Sequence, residues 1–237
     1  MPLQLRAVLV PLCHAAFLLH HLYVFFYAHK VHARVERAKL YNLDPRIANI
    51  TDFAAMFFTN WNMMLQTLYF SLAMLHDCLP QLSPLGRLIS RCKGFLFASL
   101  VFPCSVFVSA MFWGVYSINR EWVLPEVCDE YIPQWLNHSL HTNVLIFLVM
   151  EVLIANQLLP SFRSALGALT ALTVVYDAVF FLSYFVYGRF MYGLFHVFNW
   201  PERIGFILLN YFATVMVMRL GIAIEDFKYR KRGSKAD

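Results

Sequence analysis

Charged residues are scarce in this chain of 237 residues. Lysine, arginine, aspartate and glutamate together account for 14% of it, whereas 60% of the residues are hydrophobic and 17% are aromatic. A soluble domain is closer to one quarter charged and one half apolar. The shortage of charge therefore excludes an ordinary water-soluble domain and indicates a protein whose outer surface faces lipid.

Three further patterns are missing. The five cysteines have neither Cys-x-x-Cys spacing nor the arrangement of a secreted disulfide framework, so we expect free thiols. The sequence has no internal repeat, a feature that many transporters carry. It also lacks the alternation of polar and apolar residues that is typical of membrane barrels. Helices remain as the spanning elements, because every backbone polar group must be paired inside a bilayer.

The chain is instead rich in apolar segments of about 20 residues, which is enough for a helix to cross a hydrocarbon core of about 30 Å. We predict an all-α, polytopic membrane helical bundle with about six transmembrane helices, forming one domain over residues 1–237. Pro103 lies inside the third span, where we expect a kink. The predicted spans are Ala7–Ala28, Phe53–Leu75, Phe95–Ser117, Ser139–Leu158, Ala165–Tyr187 and Ile204–Ile224.

The first span begins after Arg6 and resembles a signal peptide, but it is long and has no clear cleavage site, so a retained anchor is favoured. Basic residues are concentrated after the last span, within residues 226–237. Such a cluster directly after a membrane helix indicates a cytoplasmic tail facing anionic lipid rather than a nucleic-acid-binding tail. We predict that both termini are cytoplasmic, in the endoplasmic reticulum or the plasma membrane. The basic residues of this tail are Lys228, Arg230, Lys231, Arg232 and Lys235.

Polar residues interrupt two of the predicted spans. Thr59, Asn62 and Gln66 fall at positions i, i+3 and i+7, so they share one face of the second helix. A seam of this kind either holds helices together or contributes to a site. His138 and His141 lie three residues apart at the entrance of the fourth span. Without a nearby third ligand they give only a weak metal signal, and an interfacial pair with structural duties is the alternative.

Depth in the membrane favours a meeting of Thr59 with His141. Thr59 lies about six residues, or about 9 Å, past the start of its span, and His141 lies within the first turns of the fourth span. The second and fourth spans run in the same direction, so both residues belong to the same leaflet. A hydroxyl and an imidazole that converge are the minimum parts of nucleophilic acyl transfer.

Three ionisable side chains lie within the predicted spans: Glu151, Asp177 and Arg219. Charges at such depth normally face a partner or a cavity. We expect Arg219 to pair with one of the two acids, and the alternative is that these side chains line a substrate cavity.

The segment from Phe102 to Thr142 closely resembles the androgen-induced-gene family, and the resemblance extends over nearly the whole chain. The matching features are Phe102-Pro103, Val106-Phe107-Val108, Phe112-Trp113, Tyr116, Arg120-Glu121, Pro125, Asp129, Ile132-Pro133, Trp135-Leu136-Asn137-His138 and His141-Thr142.

This resemblance implies a multi-pass membrane threonine hydrolase that cleaves fatty acid esters of hydroxy fatty acids and requires neither a metal nor an organic cofactor. It implies that Thr59 is the nucleophile, within Thr59-(x)6-Gln66-(x)3-Phe70, and that His141 is the catalytic histidine. The chain departs from the family pattern at Asn62, where an aspartate is expected, and at Gly193, where a proline is expected after Tyr192.

The resulting hypothesis is that His141 takes the proton of Thr59, which attacks the ester carbonyl of a lipid substrate held among membrane lipids. A third residue should orient His141, and Asp129 and Glu151 are the candidates. The competing hypotheses are a non-enzymatic receptor, transporter or regulatory adaptor, and a histidine-ligated metal or haem protein. Candidates for substrate contacts and oxyanion donors are Asn60, Asn62, Asn137 and His138.

Overall fold

The computed structural model describes residues 3–80 and 83–233, with side chains over residues 7–44, 46–80 and 83–230. The side chains of Arg6, Lys231 and Arg232, and the whole of Lys235, lie outside the described residues. Within the described ranges the chain is helical, with short 3₁₀ turns in its loops and no β-strand. The α-helices are α1 Leu3–Ala38, α2 Ala48–Asp52, α3 Phe58–Cys78, α4 Pro84–Leu96, α5 Phe102–Ile118, α6 Gln134–His138, α7 Val144–Ile154, α8 Phe162–Tyr187, α9 Leu194–Val197 and α10 Trp200–Gly233.

Five helical stretches are long and apolar enough to cross a membrane, so the chain is an integral multi-pass membrane protein with the predicted all-α bundle. The predicted count of six is not confirmed, because α3 is not among the five. Its face of threonine, asparagine and glutamine residues lowers its apolarity, although it packs closely against α1 and α4. The five stretches are Ala7–Ala38, Pro84–Ile118, Gln134–Ile154, Phe162–Tyr187 and Trp200–Arg230.

The first and last helices are longer than predicted. Helix α1 has 36 residues and α10 has 34. At 1.5 Å per residue each is more than about 50 Å long, which exceeds the hydrocarbon thickness of about 30 Å. Both helices therefore continue into the water, and the backbone of the predicted basic tail begins as an extension of α10.

Two helices contain π-helical segments. Phe97–Val101 joins α4 to α5, and Ser139–Asn143 joins α6 to α7. The first lies immediately before the Phe102-Pro103 step. Proline has no N–H to donate and its ring clashes with the carbonyl four residues earlier, so the wider turn accommodates it inside a membrane helix.

A buried polar cluster ties α1, α3 and α7 together at one end of the bundle. Nδ1 of His14 lies 2.6 Å from Asp77 Oδ2, and its Nε2 lies 2.9 Å from Glu151 Oε2. The Glu151 carboxylate also accepts hydrogen bonds from Tyr69 and Gln157. Glu151 therefore has partners on several helices, as a carboxylate inside an apolar bundle requires.

The polar face of α3 continues this network toward the middle of the bundle. The Gln66 amide nitrogen donates to Ser105 Oγ over 2.7 Å, and that hydroxyl donates to Asn62 Oδ1 over 3.0 Å. The Gln66 amide oxygen lies 2.9 Å from His21 Nε2. The polar-seam interpretation is thus confirmed for Asn62 and Gln66, which link α3 to α1 and α5.

The loops at the opposite end of the bundle contact one another. Arg46 forms an ion pair with Glu121 at 2.9 Å, and Arg189 forms one with Asp52. Gly188 ends α8 in the left-handed conformation at φ 68°, which glycine adopts without strain and which turns the chain back toward these loops. The loops before α3, after α5 and after α8 therefore form one layer over this end.

The His14 cluster generates a stability prediction. We expect His14→Ala to lower the apparent unfolding temperature of the detergent-solubilised protein, because it leaves the buried Glu151 and the part-buried Asp77 carboxylates without their shared partner, at a cost of about 3–5 kcal/mol. His29→Ala, on an exposed face of the same helix, is the matched control. Equal unfolding temperatures for the two variants would contradict the assigned role of His14.

Candidate active site

Thr59 lies at the start of α3, where helix geometry leaves backbone donors unpaired. Phe57 has an extended conformation, φ −62° and ψ 130°, and α3 begins at the next residue. The N–H of Phe58 donates to the Tyr192 hydroxyl over 3.1 Å. The N–H of Thr59 has no hydrogen-bond acceptor within the described part of the chain. This N-terminus therefore presents both a hydroxyl and a free backbone donor.

His141 lies in the π-helical segment Ser139–Asn143 and is buried. The backbone carbonyl of His141 accepts a hydrogen bond from Ser109, and its ring stacks on Phe112 with the centroids 3.5 Å apart and the planes 9° apart. Single π-helical turns inside α-helices are frequent at functional sites because they redirect a side chain. His141 is therefore fixed both through its backbone carbonyl and through one face of its ring.

The structure brings the two residues together. Thr59 Oγ1 lies 3.2 Å from His141 Nε2. On the other side of the ring, Nδ1 of His141 lies 2.8 Å from Asn137 Oδ1 and 3.0 Å from the Asn137 carbonyl oxygen. Both of these oxygens only accept, so Nδ1 carries the proton. In the neutral imidazole Nε2 is then an acceptor for the Thr59 hydroxyl, as a general base requires.

This pair faces a cavity of about 620 Å³. Its lining is mainly aliphatic and aromatic and comes from α1, α3, α5, α8, α10 and the loop layer. The volume falls within the range of small-molecule sites, about 300–1,000 Å³. Apolar walls around one reactive pair suit a ligand with long hydrocarbon chains.

Asn137 was predicted as a substrate or oxyanion contact, and the structure places it elsewhere. Its side-chain oxygen lies behind the imidazole, on the side away from Thr59, so it positions His141. Neither residue first considered for that task is near: Asp129 pairs with Arg120 at 2.6 Å, and Glu151 belongs to the His14 cluster. The four-residue spacing from Asn137 to His141 is the sequence signal for this contact, since such residues are neighbours on a helix.

The other predicted site residues are also accounted for. Asn62 is buried among Gln66 and Ser105, away from the lining of the cavity, so the amide in place of an expected aspartate belongs to the polar seam. His138 is exposed, stacks on Trp113 at 5.2 Å and lies outside the cavity lining. Neither side chain is placed as an oxyanion donor.

Asn60 and the ionisable residues of the predicted spans lie in different surroundings. Asn60 lines the cavity, and its amide donates to the Ala54 carbonyl. Asp177 also lines the cavity. This agrees with the alternative prediction that ionisable residues in the spans line a cavity. Arg219 was expected to pair with Glu151 or Asp177. Its guanidinium instead lies 5.2 Å from the ring of Phe162, so that pairing was wrong.

The sequence reasoning missed two tyrosines beside Thr59. The Tyr176 hydroxyl lies 3.1 Å from the Tyr192 hydroxyl, and both residues line the cavity. Tyr176 also packs edge-on against Phe58, with centroids 4.7 Å apart. The pair connects α8 and the following loop to the first turn of α3. No local pattern signals this contact, because Phe58 and Tyr192 are separated by 134 residues.

Gly193, where the family resemblance leads one to expect a proline, lies against the backbone of the loop after α5. A Cβ atom at this position would lie 3.0 Å from the Glu121 carbonyl oxygen and 3.1 Å from Trp122 Cα. Glycine therefore permits the closest approach of the two loops, next to Tyr192.

Two cysteines line the cavity, Cys104 and Cys128. Both are buried. Burial, reinforced by the nearby carboxylate of Asp129, raises the pKa of the Cys128 thiol in its loop to about 12. A protonated thiol is a poor nucleophile, so Cys128 is not a candidate for that role.

The fold and this centre define a polytopic helical membrane protein with a part-buried threonine–histidine pair. The family model described as FAR-17a/AIG1-like protein matches residues 10–226. The chain belongs to this family, which confirms the resemblance drawn from its residues.

Individual relatives are moderately similar. The androgen-dependent TFPI-regulating protein of Mesocricetus auratus is 30% identical over 177 residues, 73% of this chain and 76% of that protein. The protein of the same name from Homo sapiens is 30% identical over 176 residues, with the same coverage. The androgen-induced gene 1 protein of Homo sapiens is 35% identical over 130 residues, 51% of this chain and 54% of that one. No solved structure matches.

The environment of Cys128 generates a labelling prediction. A raised pKa keeps the thiol protonated below that value, so at pH 8 about one molecule in 10⁴ carries the thiolate. We expect iodoacetamide to modify the exposed Cys78 and Cys92 well before Cys128, as measured by mass spectrometry of the folded protein. Labelling of Cys128 should increase about tenfold per pH unit while the fold persists. Cys128 labelling as fast as that of Cys92 at pH 8 would contradict the assigned environment.

Proposed function

We propose that this protein is a membrane-embedded carboxylic ester hydrolase that cleaves fatty acid esters of hydroxy fatty acids. The observation that supports this most is the Thr59–His141 contact of 3.2 Å, with Asn137 on the far nitrogen of the imidazole, at the wall of a largely apolar cavity. The family resemblance supplies the substrate class. The geometry supports the roles of Thr59 as nucleophile, His141 as base and Asn137 as the residue that positions the base.

In the proposed reaction, His141 Nε2 accepts the proton of the Thr59 hydroxyl as Oγ1 attacks the ester carbonyl. The tetrahedral intermediate collapses when the bond to the alcohol oxygen breaks, and the imidazolium returns the proton to that oxygen. The hydroxy fatty acid leaves, and the acyl group remains on Thr59. Water, deprotonated by the same imidazole, then attacks the acyl-threonine, releases the fatty acid and restores the hydroxyl.

The location of the pair suits such a substrate. Thr59 is the second residue of α3, next to the loop layer, so the reaction centre lies near one end of the bundle, where water is within reach. The rest of the cavity extends between apolar helices. The two hydrocarbon chains of such a substrate can pass from the lipid into an apolar cavity without entering water.

The reaction is tested with membranes that contain equal amounts of the wild type and of each variant, incubated with a synthetic hydroxy-fatty-acid ester. We expect Thr59→Ala and His141→Ala each to reduce hydrolysis by about 10⁴-fold or more, since the two groups act as a unit. Thr67→Ala is the matched control, because this threonine of α3 donates to the Met63 carbonyl and does not line the cavity. Wild-type membranes no more active than empty ones would favour a receptor, transporter or adaptor.

Asn137 has a separate test. We expect Asn137→Ala to reduce kcat by about 100-fold with KM unchanged, because the remaining backbone carbonyl holds Nδ1 less firmly and the imidazole loses part of its orientation. Asn137→Asp keeps an acceptor at the same position and should recover most of the rate. Equal kcat values for Asn137→Ala and the wild type would remove the positioning role.

A further inference from the structure

The proposed reaction develops negative charge on the carbonyl oxygen of the ester, and the donors predicted for it are already bonded or lie elsewhere. Asn60 lines the cavity, but its amide donates to the Ala54 carbonyl. Asn62 and His138 lie outside the cavity lining, and Asn137 lies behind the imidazole. A hydrolase of this type needs donors aimed at the oxyanion in a water-poor site, and each is worth about 10²–10³ in rate. The donors must therefore come from other groups near Thr59.

The N-terminus of α3 offers the first of them. The N–H of Thr59 is without an acceptor in the described part of the protein, and it belongs to the residue that would carry the acyl group. The first N–H groups of a helix point outward along its axis and carry partial positive charge. This N–H alone is a single donor, and a second is required to fix the direction of the oxyanion.

The Tyr192 hydroxyl lies beside this N–H. It accepts a hydrogen bond from the N–H of Phe58, the residue before Thr59, over 3.1 Å. The N–H groups of Phe58 and Thr59 emerge from the same first turn and in the same direction. An oxygen bound to the Phe58 N–H is therefore adjacent to any atom that accepts from the Thr59 N–H.

Tyr176 determines where the proton of Tyr192 points. The two hydroxyl oxygens are 3.1 Å apart, so one donates to the other. Apart from Tyr192, the one acceptor for the Tyr176 hydroxyl in the described part of the chain is the sulfur of Met191, at 3.8 Å. A thioether sulfur is a weak acceptor. With Tyr176 donating to Tyr192, the Tyr192 oxygen accepts twice, and its own O–H has no other acceptor among the described residues.

We propose that Tyr192 is a further catalytic residue, which donates its phenolic hydrogen to the ester oxyanion together with the N–H of Thr59. The proposal rests on the hydrolase activity proposed above. Tyr192 lines the same cavity as Thr59 and His141, and its hydroxyl lies against the first turn of α3, which carries Thr59. The two donors that Tyr192 accepts from polarise its O–H and make it a stronger donor.

The test uses the full-length protein purified in detergent, with kcat and KM measured for a hydroxy-fatty-acid ester. We expect Tyr192→Phe to reduce kcat by about 10²–10³-fold with little change in KM, because the oxyanion exists only after attack. Tyr176→Phe should reduce kcat by a smaller factor, because it removes only the polarisation. Tyr184→Phe is the matched control: this tyrosine of α8 stacks on Phe190 and lies outside the cavity lining.

A second readout separates catalysis from packing. A trifluoromethyl ketone with a long acyl chain forms a tetrahedral adduct with the threonine and so requires the oxyanion donors, whereas the fatty acid product does not. Tyr192→Phe should weaken inhibition by the ketone by about 10²-fold and leave inhibition by the fatty acid unchanged.

The outcomes are distinguishable. An inactive wild type would overturn the proposed function and this inference together. An active wild type with the same kcat and ketone affinity in Tyr192→Phe would overturn this inference alone. Equal weakening of ketone and fatty acid binding would also overturn it, since that pattern indicates a damaged cavity.

Discussion

Polar side chains inside an apolar bundle must find partners within the protein, and the packing of this molecule depends on that constraint. Helix α3 carries several of them. Its inner residues bond to α1, α5 and α7 through Gln66 and Tyr69, and its first turn bonds to the loop after α8 through Phe58. Helices that would otherwise slide over one another in lipid are thereby fixed in register, since lipid gives apolar helices little reason to prefer one contact over another.

The same constraint accounts for the difference between the two polar regions of α3. Asn62, Gln66 and Tyr69 are buried, with hydrogen-bond partners, and they stabilise the bundle. Thr59 lies beyond this seam, where the helix ends against a cavity. A hydroxyl at that point is held by one imidazole and still faces open space. The residues that stabilise the bundle and the hydroxyl proposed as nucleophile thus lie on successive turns of one helix.

The fold class followed from hydropathy because a shortage of charge and repeated apolar segments of about 20 residues have few other solutions. Helix ends were less predictable. Hydropathy locates the edge of the lipid, whereas α1 continues beyond that edge to Ala38, with Val31 and Val35 buried against loop residues. Thr59 and His141 came from the family resemblance, and the depth argument brought them to one leaflet. The contact of Tyr192 with Phe58 was beyond prediction, because it depends on how distant segments pack.

The wide turn at Ser139–Asn143 has an evolutionary consequence. A π-helical turn is equivalent to an α-helix into which one residue has been inserted, and one residue corresponds to a rotation of about 100° at 3.6 residues per turn. Inserting one residue into a regular membrane helix rotates all side chains on the N-terminal side of the insertion about the helix axis. Asn137 is among the side chains that are rotated in this way relative to α7. A regular α-helix is in this sense a single insertion away from the arrangement that holds the imidazole in this protein.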